Sequence, residues 1–365
     1  MQTVCLKYRL YPTKTQISSF EQTLDVCRHV YNWMLADRQD TYEFSGKGLT
    51  YYAQARKLQI FRGTWTKLQS VHSQVLQNVA VRVDLAFKAF FRRVKAGENP
   101  GYPRLKGRDW YDSFTYPQSG WSVSENKIKL SKIGSVKIKL HRPITGIVKT
   151  CTIRRQNNKW FVCFVCEVEP AILPLTSKSI GIDVGLEKFA ALSDGVFIDN
   201  PRFFRKEEKA LAKSQRKLFK QPKGSKERCR AKKVISRVHE RIRNRRHNFV
   251  HQLSRKLVNE NDVLIVEKLN TKNMLLNRCL AKSISDASWT QFRSVLTNKA
   301  ESAGRILLSV NPAYTSQDCS ACGFRAKKPL KERWHFCPNC GLSLDRDTNA
   351  AINILRLGLQ SLVKA

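Results

Sequence analysis

Hydrophobic and polar positions follow two different periods in the first half of this chain. Residues 4–11 alternate with a period of two, which predicts one half-buried strand. Apolar residues then recur every three or four positions, which predicts helices at residues 13–35, 51–61 and 68–90. Period-two patterns return in short strands at residues 113–116, 127–130, 136–140, 147–154 and 160–168. We therefore predict a small β-barrel into which a group of helices is inserted.

The second half begins with a predicted strand that carries an acid near its end. Gly181, Asp183 and Gly185 share one face of this strand. We expect the small glycines to leave room beside the Asp183 carboxylate for a metal ion and a phosphodiester. Taken alone, an acid at a strand end can also serve only to cap a turn. A hairpin signal at residues 194–195 extends the strand into a three-strand meander.

A second acid lies within an apolar strand at residues 262–269. Glu267 occupies a position where the pattern requires another Val or Leu. A buried carboxylate is costly there without a cation. A helix at residues 289–303 and a last strand at 305–310 follow.

Two Cys-x-x-Cys knuckles follow, separated by fourteen residues and each followed by glycine. Their four thiolates can close tetrahedrally around one zinc ion, and a complete set of protein ligands predicts a structural ion. His335 is a rival ligand, although it is surplus to a complete set of cysteines. The predicted ligands are Cys319, Cys322, Cys337 and Cys340.

A helix is predicted immediately after the knuckles, with Asp347 in its first turn. Asp347 lies at helical spacing from the apolar residues Ala351, Ile354 and Leu355. Its carboxylate is therefore expected to point inward, where a metal ion is the usual partner. Asp345 lies on a different side of the helix, where an N-cap or a solvated role suffices. That side also carries Thr348, Asn349 and Asn353.

The charge of the chain indicates a polyanionic partner. Its 365 residues include 66 Lys and Arg against 29 Asp and Glu, a net charge of +37. No apolar run is long enough to span a bilayer and no signal peptide is recognised, so we expect nucleic acid rather than a membrane. We also expect a cytoplasmic, nucleoid-associated protein of bacterial or archaeal origin. The oligomeric state stays open.

The most basic segment, residues 203–260, reads as a long helical stretch broken near residues 222–224. Acids hardly offset its bases, so pairing within the helix cannot neutralise them and phosphate contacts are favoured over a merely solvated face. The candidate phosphate contacts are Arg237, Arg241 and Arg245.

Asp183, Glu267 and Asp347 occur in the order strand, strand and helix start. This order suits a two-metal phosphodiesterase of the RNase H-like kind. In such a site carboxylate oxygens hold two Mg²⁺ ions about 4 Å apart, one activating the attacking water and the other stabilising the leaving oxygen.

With these motifs the chain resembles the TnpB family of transposon-encoded, RNA-guided DNA nucleases, relatives of the type V CRISPR effectors. The resemblance spans nearly the whole chain, and its most specific motifs are TSQDCSACG at 315–323 and DRDTNAA at 345–351. The other matching motifs are KYRLYP at 7–12, FF at 90–91, GIDVG at 181–185 and VEKL at 266–269. The catalytic Asp, Glu and Asp of the family fall on Asp183, Glu267 and Asp347.

The resemblance implies a multidomain α+β protein with four parts. A β-barrel wedge domain would comprise residues 1–12 and 104–172, with a helical recognition lobe at 13–103. A RuvC-like nuclease domain of RNase H-like fold would comprise 173–316 and 342–365, with the zinc ribbon inserted at 317–341.

The resemblance also implies partners and a reaction. Family members carry a guide RNA derived from the transposon end and cut double-stranded target DNA beside a short transposon-adjacent motif. Gln77, on the polar flank of the third predicted helix, is the candidate reader of that motif, although a solvated helix surface also explains it.

Two alternatives remain. A nuclease-inactive, RNA-guided DNA-binding repressor would share the same fold, but the intact triad of carboxylates argues against it. A conventional DNA transposase would join strands with the same carboxylates and need no guide RNA.

Overall fold

The computed structural model describes residues 1–326, 329 and 332–363. Two compact units divide the chain, residues 1–169 and residues 170–365. Within the described ranges, no helix combines the length and apolar character needed to cross a membrane.

The first unit is built on one antiparallel sheet of seven strands in the order β2-β6-β7-β1-β5-β4-β3. Its strands are β1 (Gln2–Tyr11), β2 (Ser113–Tyr116), β3 (Trp121–Ser124), β4 (Lys127–Leu130), β5 (Gly134–Lys139), β6 (Ile147–Gln156) and β7 (Lys159–Val168). The sheet is nearly closed, since the ring of Trp121 on edge strand β3 lies 5.4 Å from the ring of Phe164 on β7, a strand in the other half of the sheet order. The predicted barrel-like region is therefore confirmed, and only β3 was missed.

Four helices separate β1 from β2: α1 (Lys14–Ser45), α2 (Tyr51–Thr64), α3 (Thr66–Gln69) and α4 (Ser73–Lys95). A capping box begins α1, because the Thr13 hydroxyl accepts from the Gln16 backbone N–H while the Gln16 side chain accepts from Thr13 N–H. Helix α1 continues ten residues beyond its predicted end at 35. Arg38 explains part of this extension, since its buried guanidinium donates to Gln54 and Asp84. In this last part of α1, buried polar contacts take the place of the apolar residues from whose spacing the end of the helix was predicted.

The second unit contains a five-stranded mixed sheet in the order β10-β9-β8-β11-β12. Its strands are β8 (Ser179–Val184), β9 (Lys188–Leu192), β10 (Phe197–Asp199), β11 (Val263–Glu267) and β12 (Ile306–Val310). Strands β8, β9 and β10 form the predicted antiparallel meander, whereas β8, β11 and β12 run parallel. The carboxyl ends of β8 and β11 therefore meet at one edge of the sheet.

Two long basic helices, α5 (Phe203–Phe219) and α6 (Lys226–Glu260), connect the meander to β11. Their break matches the predicted one at 222–224. Three helices, α7 (Thr271–Met274), α8 (Ala281–Ala287) and α9 (Trp289–Ser302), then lead to β12. The short hairpin of β13 (Trp334–Phe336) and β14 (Ser343–Asp345) precedes the final helix α10 (Arg346–Val363).

Helix α10 packs directly on the parallel strands at two glycines. A Cβ on Gly181 of β8 would lie 2.1 Å from the Ala351 carbonyl oxygen, and one on Gly358 would lie 2.5 Å from Ile265 of β11. The expectation that Gly181 leaves room for metal and substrate is wrong. Its missing side chain instead admits the backbone of α10.

We expect Gly181→Ala to lower the melting midpoint of the protein by several degrees. The added Cβ cannot be accommodated without separating α10 from β8, and overpacking of this kind costs about 1–3 kcal/mol. Thermal unfolding followed by circular dichroism measures the effect. Gly63→Ala is the control, because a Cβ there meets open space and Ala favours a helix. Equal melting of Gly181→Ala and wild type would contradict this packing.

Candidate active site and metal centre

The three predicted carboxylates come together at the edge where the parallel strands end. Ile182 pairs with Val266, so Asp183 and Glu267 are the next residues along adjacent strands β8 and β11. Asp347 lies in the first turn of α10, the helix that packs on the same strands. Elements separated by more than 160 residues of sequence thus place three acids in one site.

The surroundings of these acids shift the pKa values of two of them. Burial raises the pKa of Asp183 well above its usual range, and the carboxylates of Glu267 and Asp347 raise it further. Burial also raises the pKa of Glu267. Burial penalises the ionised forms of Asp183 and Glu267, repulsion penalises that of Asp183 further, and a bound cation would relieve both effects. The donor set, three carboxylates on rigid elements, fits Mg²⁺.

Three neighbours of the acids were not identified from the sequence. The Thr315 hydroxyl, which is buried, donates to Glu267 Oε1 at 2.6 Å. Arg346 lies 3.4 Å from one Asp347 oxygen and Arg333 lies 3.7 Å from the other. Arg333 also pairs with Glu187 at 2.7 Å. Thr315 and Arg346 do lie within the two most specific motifs, so adjacency to a candidate site was the available signal.

Asp345 caps α10, as expected from the sequence. Its Oδ1 accepts from the backbone N–H groups of Asp347 and Thr348 at 2.8 and 3.2 Å. These bonds satisfy two of the free N–H groups at the helix start and fix the orientation of the turn that carries Asp347.

The four predicted cysteines form one cluster whose sulfur atoms all lie within 4.8 Å of one another. The Sγ atoms of Cys319 and Cys340 are 3.6 Å apart, and those of Cys322 and Cys337 are 3.5 Å apart. A tetrahedral site with Zn–S bonds of about 2.3 Å has edges of about 3.8 Å. The thiols can therefore hold a metal ion without rearrangement. His335, the rival ligand, lies buried in β13 opposite Leu344 of β14.

The two knuckles have the same backbone design. Gly323 and Gly341 both adopt positive φ angles, of 76° and 74°, and donate to the Cys319 and Cys337 carbonyls at 2.9 Å. Glycine suits this left-handed position because it has no Cβ. A hydrogen bond with the Asn339 side chain lowers the pKa of Cys322 to about 6, whereas burial and the three other thiols raise the pKa of Cys340 to about 12.

Two asparagines of α10 fasten the first knuckle to the helix. Asn353 Nδ2 donates to the carbonyls of Thr315 and Asp318 at 2.9 and 2.6 Å, and Asn349 Nδ2 donates to Asp318 at 2.8 Å. Ser320 N–H donates back to Asn349 Oδ1. Both asparagines are fully buried, so of the two roles considered for Asp345 on this side of the helix, the N-cap applies and the solvated one does not. The asparagine amides satisfy backbone carbonyls that the knuckle cannot pair itself.

Gln77 is exposed on α4 and faces a groove of about 600 Å³ between α2 and α4. The groove also presents Tyr52, Arg56, Gln59 and Arg62. An exposed amide flanked by cations and an aromatic ring can contact a base edge while its neighbours hold phosphates. The groove belongs wholly to the first unit.

The three candidate arginines of α6 have different surroundings. Arg237 is exposed. Arg241 and Arg245 each donate to Glu207 of α5, at 3.1 and 3.2 Å, while about half of each side chain stays exposed. The neighbouring helix thus supplies an acid that the sequence pattern did not reveal.

Comparison with known proteins shows the family. The chain is 35% identical to a protein of Streptomyces pristinaespiralis over 97% of this chain and 89% of that protein. It is 32% identical to InsQ of Escherichia coli K12 over 96% of this chain and 91% of InsQ. Both relatives carry the name "Putative RNA-guided DNA endonuclease". The chain belongs to the TnpB family. The resemblance inferred from the sequence motifs is thus confirmed.

Family models match three parts of this TnpB-family chain. Residues 163–278 match the OrfB_IS605 model, described as "Probable transposase", and residues 289–354 match the Cas12f1-like TNB domain, which includes the four cysteines. Residues 1–47 match a model described as a helix-turn-helix domain. In this structure that span consists of strand β1 and the single helix α1.

Solved structures of low identity share the fold. The mini-RNA-guided endonuclease CRISPR-Cas_phi3 is 11% identical, with a TM-score of 0.51 over 98% of this chain and 92% of the other. CasPhi-2 (Cas12j) bound to crRNA is 9% identical, with a TM-score of 0.51 over 98% of both chains. The mixed α/β multidomain architecture is thus that of the Cas12 effectors.

We expect about one zinc per chain in protein purified without chelator, because the four thiols already approach tetrahedral spacing. Elemental analysis of the wild type and of the double variant Cys337→Ser/Cys340→Ser measures this. The variant should lose the metal, whereas Cys279→Ser, at an exposed cysteine far from the knuckles in sequence, should keep it. Unchanged zinc in the double variant would show that the metal lies elsewhere.

Proposed function

We propose that this TnpB-family protein is an RNA-guided, Mg²⁺-dependent DNA endonuclease in which Asp183, Glu267 and Asp347 form the catalytic site. The observation that carries the proposal is the placement of Asp183 and Glu267 at the ends of adjacent strands, with Asp347 in the first turn of the helix that packs on those strands. The buried Asp183 carboxylate, repelled by the other two, favours a bound cation there. The names of the relatives support the guide RNA and the DNA substrate.

The chain's own residues suggest how the site works. Asp183, Glu267 and Asp347 would hold Mg²⁺, which supplies an activated water and neutralises charge on the leaving oxygen. Thr315 donates a hydrogen bond to one Glu267 oxygen and so restricts the rotation of this carboxylate. Arg346 and Arg333 beside Asp347 offer positive charge to a phosphodiester. The cap from Asp345 keeps Asp347 in place.

The proposed domains are those that the resemblance to the TnpB family implies. Within the first unit, residues 1–12 and 104–172 would be the wedge domain and 13–103 the recognition lobe. Within the second, residues 173–316 and 342–365 would be the RuvC-like nuclease and 317–341 the zinc ribbon. The ribbon's zinc would be structural, because four cysteines leave no open ligand position.

Guide RNA and target DNA would bind through the basic surfaces. The net charge of +37 and the exposed arginines of α6 suit a phosphate backbone. We assign Arg237 to such contacts, with Arg241 and Arg245 sharing their charge with Glu207. We assign Gln77, in its groove, to reading the motif beside the target. A transposon-end origin of the guide is part of the proposal.

The two alternatives are less well supported. A repressor would not need three ionisable groups held together at a cost in desolvation. A transposase without a guide agrees with the description of one family model, but the relatives aligned over nearly the whole chain are named for RNA-guided cleavage.

Replacing Asp183 with Asn should reduce guided DNA cleavage by about 10³-fold or more while retaining target binding. Removing this carboxylate weakens metal binding, whereas phosphate contacts and guide pairing lie mostly elsewhere. The assay compares guide-loaded proteins in Mg²⁺ on a plasmid with a matched target and a randomised flank. Asp194→Asn, at an exposed turn in the same unit, is the control and should cut normally.

Each departure from this result has a meaning. Cleavage by the wild type without RNA would favour the transposase or a conventional nuclease. Binding without any cleavage in Mg²⁺ would favour the repressor. Equal cleavage by Asp183→Asn and wild type would remove Asp183 from the site.

The two proposed nucleic-acid contacts should differ in kind. Arg237→Ala should weaken RNA binding similarly for all sequences and reduce the slope of log affinity against log salt by about 0.7–1, the loss of one phosphate contact. Gln77→Ala removes no charge, so it should change which flanking sequences are cut and leave that slope unaltered. Filter binding across salt and sequencing of cut flanks measure the two effects. An unchanged slope in Arg237→Ala, or unchanged flanks in Gln77→Ala, would reject the respective assignment.

A further inference from the structure

A second site with a defined chemistry lies in the first unit. A cavity of about 590 Å³ opens between the last turns of α1 and α4. Phe87, Phe90 and Phe91 of α4 line it together with Tyr42 of α1 and Tyr102 of the following loop. Its volume is within the usual range for small-ligand pockets, about 300–1,000 Å³. The proposed function gives this cavity no role.

The aromatic rings form an ordered cluster. Tyr102 packs edge to face on Phe90 at 5.4 Å and on Phe87 at 5.7 Å, with interplanar angles of 75° and 90°. Phe91 packs on Phe90 at 5.1 Å. Yet Phe91 and Tyr42 remain 61% and 62% exposed. Large rings that line a cavity and stay this exposed mark a surface suited to a partner.

Polar groups flank the rings. The Arg38 guanidinium, buried and held by Asp84 and Gln54, lies 5.0 Å from the centre of the Phe87 ring. Gln39 donates to Glu43 at 3.1 Å, so an amide and a carboxylate stand side by side among the lining residues. Burial and the Glu43 carboxylate raise the pKa of Tyr102, which keeps its hydroxyl a donor. Donors and acceptors of these kinds pair with the edge of a base.

We propose that this cavity binds one unstacked base of a nucleic-acid strand held by the protein. The inference rests on the proposed function as a nucleic-acid-binding protein, and it adds a site for unpaired nucleotides. Charge complementarity favours this occupant over an apolar peptide, because the last turn of α4 carries Arg92, Arg93 and Lys95. A base would stack on the rings while these cations contact the neighbouring phosphates.

Binding of fluorescent oligonucleotides to the full-length protein tests the proposal. The probes are a single-stranded RNA, a single-stranded DNA and a fully paired duplex, so the assay also tells which strand chemistry is preferred. Tyr42→Ala/Phe91→Ala should weaken binding of at least one single strand about fivefold or more, since each lost base stack is worth about 1–3 kcal/mol. Duplex binding should change less than about twofold, because its bases stay stacked.

Two single variants serve as controls. Tyr42→Phe keeps the ring and should bind single strands like the wild type. Phe44→Ala removes a neighbouring ring on the same helix that is 96% exposed and is not among the residues that line the cavity, so it should also bind normally. Thermal melting of every variant verifies that it is folded.

Equal losses on single strand and duplex, or no loss on either, would overturn the proposal. Binding of a hydrophobic dye that the double variant loses without any loss of single-strand affinity would assign the cavity to an apolar ligand instead. A wild type that binds no nucleic acid would refute the proposed function itself. A wild type that cuts with its guide, beside a double variant with unaltered single-strand affinity, would refute only the base pocket.

Discussion

The direct contact between helix α10 and strand β8 is the constraint on which the carboxylate site depends. Gly181 allows the Ala351 carbonyl to approach the strand more closely than any side chain would permit. This approach brings the first turn of α10, with Asp347, to the strand ends that carry Asp183 and Glu267. The carboxylates of Glu267 and Asp347 repel the buried carboxylate of Asp183 there. The favourable packing of the apolar face of α10 therefore offsets the unfavourable burial and repulsion of these charges, which a bound cation would relieve.

The cysteine cluster acts on the same helix from its other side. Strand β14 leads directly into α10, and Asp345 at their junction caps the helix. Asn349 and Asn353 then attach the first knuckle to the helix through buried hydrogen bonds. A metal held by the four thiols would stiffen the knuckles and, through these contacts, the turn that carries Asp347. Thr315 donates to Glu267 through its hydroxyl and accepts from the Asn353 side chain through its carbonyl. It therefore connects Glu267 to α10, the helix that carries Asp347.

The basic character of the chain is distributed rather than concentrated. In the second unit, α5 and α6 pair part of their charge through Glu207 and leave Arg237 exposed. In the first, a polar groove contains Gln77, and a separate aromatic cavity lies beside the cations at the end of α4. Surfaces of these kinds suit different features of a nucleic acid: its phosphates, its base edges and its unstacked bases.

The sequence by itself determined most of the helices and strands of this protein and its cysteine knuckles. Period-two and helical patterns fixed nearly every strand and long helix, and Cys and Gly spacing predicted the knuckles, because these features depend on local geometry. The order of Asp183, Glu267 and Asp347 also anticipated their convergence. Only the tertiary structure decided which partners they meet. The missing side chain of Gly181 admits the backbone of α10, and Asn353 is buried against the first knuckle. Arg241 pairs with Glu207, as Arg245 also does. These contacts join residues distant in sequence, and side-chain periodicity carries no information about what packs on a given face.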